Sequence, residues 1–214
     1  MPGFFQPAIE TSGVKPFEDF PIEFSEGTLS GVISTDELAS VLFVHYLAAG
    51  CPDDKKAYVV APPGRLVYPK TLSLLGADPS KLLIGSVYSP PDELISALDL
   101  VEEGSLLIVG NFPALNPSSE TVLGIRKVVD DKGLIAVLHH SPVAFNELDH
   151  PGEFTRLFKL PEVLDALLIL RTNSYRGHYR LNMTLSKAPP EWVGSLGDHS
   201  IPIDGLVRPL LGKG

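Results

Sequence analysis

The stretch SLLIVGNFPALNPSSETVLGIRKVVDDKGLIAVLHH, residues 105–140, decides the fold. Residues 105–109 (SLLIV) form a short, strongly apolar run, the texture of a strand buried on both faces. Asn116-Pro117 predicts a helix start, and the helix runs to about Asp131, where Gly133 stops it. Residues 134–139 are a second apolar strand. Strand, helix and strand in that order are the repeating unit of a parallel sheet.

Upstream, the unit repeats. Residues 28–34 (TLSGVIS) read as a strand, and residues 36–49 as a helix with Leu38, Val41, Leu42, His45, Tyr46 and Ala49 on one face. Residues 56–61 are a buried-type strand closed by Pro62-Pro63-Gly64. Residues 69–75 predict a short helix, 81–87 a strand, and Ser89-Pro-Pro-Asp92 the start of a helix reaching about Glu103. Downstream, residues 140–164 are irregular or partly helical. Residues 165–172 and 178–187 read as strands joined by a turn at 173–177. The expected fold is a three-layer α/β/α domain with a mainly parallel sheet and a C-terminal antiparallel hairpin. Its expected limits are residues 27–188. A Pro- and Phe-rich arm (1–26) precedes it, and a Pro/Gly-rich extension (189–214) follows.

Composition narrows the function. The chain has 214 residues, with 17 basic and 26 acidic, so the net charge is 17 − 26 = −9. With 44% hydrophobic residues and a mean hydropathy of +0.16, it has material for a core. A pI near 5.1 argues against a protein that coats DNA without regard to sequence. A single cysteine, Cys51, excludes an intramolecular disulfide scaffold and a multi-cysteine zinc site. No apolar run approaches the roughly 20 residues that span a bilayer, and the first residues lack the pattern of a signal peptide. A cytoplasmic location without membrane contact is the expectation.

Five segments carry a resemblance: EGTLSGVIS (26–34), LLGADPSKLLIGSVY (74–88), SLLIVGNFPAL (105–115), IRKVVDDKGLIAVLHH (125–140) and LDALLILRTNSYRGHYRLNMTLSKAP (164–189). In order and texture they resemble the RecA-type ATPase core, in its archaeal RadA/KaiC-like branch. The resemblance implies a RecA-like domain, but the ATPase motifs are missing. A P-loop needs G-x-x-x-x-G-K-[ST] between first strand and helix, so that backbone N–H groups and a lysine hold phosphates. Here Ser34 and Ala39 stand at the glycine positions, Ser40 at the lysine and Val41 at the hydroxyl. The strand that would end in a metal-organising acid ends in Gly110-Asn111. Ser34-x-x-Glu37 reads instead as a capping box, with Asp36 and Glu37 placing negative charge where phosphates would arrive. These residues predict a closed nucleotide site and no cofactor.

The resemblance further implies a non-catalytic paralog that acts by association in DNA recombination or repair. Its partner would be a RadA/RecA-type ATPase or a second copy of itself. Phe5-Gln-Pro-Ala8 has the F-x-x-A form by which such recombinases dock on the next protomer. Arg171, Tyr175, Arg176, His178, Tyr179 and Arg180 form a basic-aromatic cluster suited to a partner, DNA or single-stranded nucleic acid. An enzymatic alternative is a small metal-dependent hydrolase using His139, His140, Glu147, Asp149 and His150 at the sheet's carboxyl edge.

Overall fold

A computed structural model describes residues 13–64, 67–88 and 92–210. The 8-stranded sheet has the order β3-β2-β4-β5-β1-β6-β7-β8. Its strands are β1 (Leu29–Ser34), β2 (Ala57–Ala61), β3 (Leu82–Ser86), β4 (Leu106–Gly110), β5 (Ile135–His140), β6 (Ala166–Tyr175), β7 (His178–Lys187) and β8 (Gly197–Pro202). From β3 to β6 all neighbours are parallel, while β6-β7 and β7-β8 are antiparallel. The helices are α1 (Glu37–Ala49), α2 (Pro69–Leu74), α3 (Asp92–Asp99), α4 (Ser119–Lys132), α5 (His150–Phe158) and α6 (Asp204–Leu210). The expected α/β architecture is observed. Among the described residues no helix is long and apolar enough to cross a membrane.

Two cores flank the sheet. On one face Val32, Ile108, Val137, Leu168 and Met183 pack under α1, α2, Val207 of α6 and the arm. On the other, Ile33, Leu107, Leu138 and Ile169 pack under α3, α4 and α5. Every residue of β1, β2 and β4 is buried, as double coverage requires. The second core takes nothing from β7 or β8, so the hairpin edge is covered on one face only. Gly31 lets α5 close onto β1. A Cβ there would lie 2.9 Å from Leu164 Cδ1 and 3.0 Å from Phe158 Cε2.

Several local expectations change. The N-cap of α4 is Ser118, whose hydroxyl accepts the Thr121 N–H, not Asn116. Asn116 instead ends a 3₁₀ turn at φ 46°, a turn that buries Phe112 and Leu115. Helix α3 stops at Asp99, because Val101 folds back into the core before the strand. The Ser89-Pro-Pro start lies outside the described residues. The hairpin is longer than expected and its turn shorter. Arg176 and Gly177 sit at φ 51° and 80°, the two positive values of a type I′ turn.

Both flanking segments enter the domain. In the arm, Val14 and Phe24 exchange backbone hydrogen bonds of 2.8 and 2.9 Å, and Phe20 and Phe24 join Phe43 of α1. Trp192 meets Phe24 edge-on at 5.7 Å, tying the extension to the arm. The extension supplies β8 and α6, and Tyr46 of α1 donates its hydroxyl to the Leu206 carbonyl at 2.9 Å.

Candidate functional site

β1 and β5 are neighbours, but their crossovers leave to opposite faces: α1 packs in the first core and α5 in the second. In open α/β sheets such a reversal, at the strands' carboxyl ends, is where ligands bind. Ser34, Asp36, Glu37, Gly110, Asn111, His139 and His140 all come to this edge.

Asp36 governs it. Its backbone is extended, and its carboxylate Oδ1 accepts the Ala39 N–H at 2.8 Å, which makes it the N-cap of α1. The same carboxylate reaches across to β6. Oδ2 accepts the Thr172 N–H at 2.7 Å, and Oδ1 accepts the Thr172 hydroxyl at 2.6 Å. Thr35 adds a backbone bond to the Leu170 carbonyl at 2.9 Å. The β1–α1 connection is therefore laced onto β6. This corrects the capping box expected between Ser34 and Glu37. Ser34 is still in the strand and points into the sheet, so it cannot reach the helix end. Glu37 is exposed. Ser40 donates its N–H to the Asp36 carbonyl in the first turn, and the Val41 carbonyl binds His45 Nδ1 at 2.8 Å.

Ser34 has a different partner. Its hydroxyl lies 3.0 Å from His139 Nε2, both side chains are fully buried, and the imidazole stacks on Phe43. Burial pushes the His139 pKa down to about 3, with the neighbouring His140 adding to the effect. The ring is neutral at physiological pH. Closed off from solvent, this pair acts as a core hydrogen bond, not as a nucleophile and base. His140 points to the other face, and its pKa is lowered by burial first and by the Arg156 guanidinium second. Gly110 pairs with His139 across the β4–β5 ladder. Asn111 turns the chain at φ 50°, a left-handed conformation that asparagine tolerates.

The remaining predicted residues do not converge. His139 and His140 lie on opposite faces, Asp149 caps α5 by accepting the Gly152 N–H at 3.0 Å, and the His150 ring packs against Phe145. Among the described residues, no three His, Cys, Asp or Glu side chains are grouped to hold a metal ion. The basic-aromatic cluster is also split. Arg171 pairs with Glu147 at 2.5 Å, Arg180 donates to Ser200 Oγ at 2.8 Å, and His178 contacts Asp204 at 3.1 Å. Tyr179 packs against the first core, and the Arg176 guanidinium lies 5.1 Å over the Tyr175 ring at the hairpin tip. Phe5 and Ala8 lie outside the described residues.

A sizeable cavity lies away from this edge, on the bare face of the hairpin. It holds about 630 Å³ and is lined by Pro151, Phe154, Pro161, Leu167, Ser186 and Lys187. His150 connects it to a polar pocket of about 380 Å³ that includes Thr35, Arg171, Asn182 and Asp198. Comparison of the chain with protein-family models and with curated protein sequences finds no match. Two site contacts had no local signal in the sequence. Thr172 is 136 positions from Asp36, and His139 is 105 from Ser34.

Proposed function

We propose that this chain is a non-catalytic protein of the RecA/RadA/KaiC-like kind. It works by association, as an accessory or regulator of an active ATPase of the same architecture, in DNA recombination or repair. The Asp36 carboxylate supports this reading most directly. A phosphate-binding turn leaves the N–H groups at the start of its helix free and brings a cation to them. Here the Ala39 N–H is already spoken for, and the group holding it is an anion tethered to Thr172. An approaching phosphate meets Asp36 and then Glu37. Like charges about 4 Å apart cost about 1 kcal/mol in water and about 4 kcal/mol at a protein surface. A protein that keeps the scaffold and fills the phosphate site with its own side chain retains surfaces, not turnover.

Isothermal titration with Mg-ATP, together with a phosphate-release assay, tests the first half. No binding heat at about millimolar nucleotide and no release are expected. ATP turnover by the wild-type chain would sink the proposal. Asp36→Ala loses the cap and both Thr172 bonds, lowering stability in urea by about 2–3 kcal/mol. Glu37→Ala changes it by less than ~0.5 kcal/mol. The second half is tested by adding the chain to a RadA-type ATPase and following filament length and hydrolysis. A change in either at equimolar protein is expected, and no change removes the regulatory role.

A further inference from the structure

The two edges of the sheet are finished differently. At one, β8 carries Asp198, His199 and Pro202, and the arm residues Asp19 and Pro21 line a cleft with it. Charge, proline and a flanking segment are the usual means of keeping an edge strand from pairing. At the other, β3 reads Leu82-Leu-Ile-Gly-Ser86, with neither charge nor proline. Leu83 and Ile84 are 43% and 52% exposed, and Leu74 and Tyr88 nearby are more exposed still. Among the described residues β3 ends the sheet, and apolar exposure concentrated on such an edge marks an interaction surface.

The hydrogen bonds of β3 define what the edge offers. The Ala57 N–H donates to the Lys81 carbonyl, and the Val87 N–H donates to the Ala61 carbonyl. Residues 81 and 87 therefore face β2, and by alternation so do 83 and 85. Leu82, Ile84 and Ser86 direct their N–H and C=O groups outward.

We propose that this edge pairs with the same edge of a second copy, antiparallel, about a two-fold axis through Ile84. The proposal deepens the reading that the chain works by association and names one partner. In this register Ile84 faces Ile84 of the partner subunit and Leu82 faces the partner's Ser86. All three outward residues of each strand then find hydrogen-bonding mates. Leu83 lies across from the partner's Gly85. Gly85 has space for it, since a Cβ built there would meet only Val60 Cγ2, at 3.9 Å. On the opposite face, a cleft of about 160 Å³ between α2 and β3, lined by Pro69, Leu72, Ser73, Ala77, Leu82 and Ile84, receives the partner's Ile84 side chain.

Self-complementarity in register, in the space at Gly85 and in charge selects a second copy as the occupant. No charged residue lies within 82–86, and Lys81, paired with Asp53 at 2.5 Å, would face the partner's Val87. No like charges are opposed, and the arrangement closes as an isologous dimer. Pairing β3 with the guarded β8 edge would instead leave free ends and grow without limit.

Sedimentation velocity of the full chain over a concentration series tests this, with Ile84→Lys and Ile84→Cys alongside. A monomer–dimer equilibrium is expected for wild type. Ile84→Lys, which sets two ammonium groups on the axis, is expected to weaken it by at least ~100-fold with an unchanged circular dichroism spectrum. Opposed residues in a hydrogen-bonded pair have Cα atoms about 5.5 Å apart, within disulfide range. Mild oxidation of Ile84→Cys should therefore give a covalent dimer. Cys51 does not compete, because burial raises its thiol pKa to about 11. Should the lysine variant fail to fold, the crosslink decides: a covalent dimer supports the proposal and monomer alone overturns it. A wild-type chain that stays monomeric at about 100 µM also overturns it, as does a dimer indifferent to Ile84→Lys or a series of species beyond dimer. None of these results bears on nucleotide binding, so the edge and the closed site fail separately.

Discussion

The two halves of the sheet solve burial in different ways. β1, β2, β4 and β5 lie between helices on both faces; β2 and β4 are nearly unbroken apolar text, while β1 and β5 also bury Ser30, Ser34 and His139. β7 is covered on one face, and its sequence alternates. Leu181, Met183 and Leu185 face the core, while Arg180, Asn182, Thr184 and Ser186 lie on the bare side. The β6 strand crosses the boundary, buried from Ala166 to Leu170 and mostly exposed beyond. Coverage, not strand propensity, sets the residue pattern. The polar work of the molecule collects where coverage ends, in Thr172, Arg171 and the loop that carries Glu147.

This contrast predicts a graded set of outcomes. The largest is in the doubly covered half: Leu107→Ala in β4 costs about 3 kcal/mol in urea unfolding, against less than ~0.5 kcal/mol for Ser186→Ala on the bare face. Similar costs at the two positions would break the comparison.

The next effect depends on pH. His139 is neutral in the fold with a pKa of about 3, against an ordinary value of 6.5. The unfolded chain therefore binds the extra proton between those limits, and stability falls as pH drops through that window. At pH 5 the loss relative to neutral pH is about 2 kcal/mol from His139 alone, and the lowered His45 and His140 act in the same direction. Replacing the ring by His139→Gln should flatten the urea midpoint between pH 7 and 5. An unchanged slope would show that His139 is not held neutral by burial.

The smallest effect is at the hairpin tip. Arg176 holds φ 51° at a position suited to glycine or asparagine. Arg176→Gly should raise stability by about 0.5 kcal/mol, with the Tyr175 contact as the opposing loss. A thermal melt that falls by several degrees would instead assign the cation–π contact the larger share.

Much of the fold is legible in residues 105–140 alone, because an apolar strand and a capped helix are written in neighbouring residues. The candidate site is legible only in part. That the β1–α1 turn lacks the glycines, lysine and hydroxyl of a P-loop follows from Ser34, Ala39, Ser40 and Val41 as they stand. Which residue closes it does not follow. Ser34 and Asp36 both suit a cap, and the choice falls to Asp36 because β6 offers it Thr172. Likewise β8 lies in a stretch rich in glycine and proline that has no strand pattern, and it becomes a strand because β7 presents a free ladder edge.

By itself, the sequence determined the element types in the buried half, the strand–helix alternation that favours a parallel sheet and the lack of a P-loop motif, since all of these are written in neighbouring residues. Only the tertiary structure decided that β1 lies between β5 and β6, that Ser34 meets His139 and Asp36 meets Thr172, and that β3 ends the sheet among the described residues. Those outcomes depend on partners many tens of residues apart, and no local pattern records which distant group arrives.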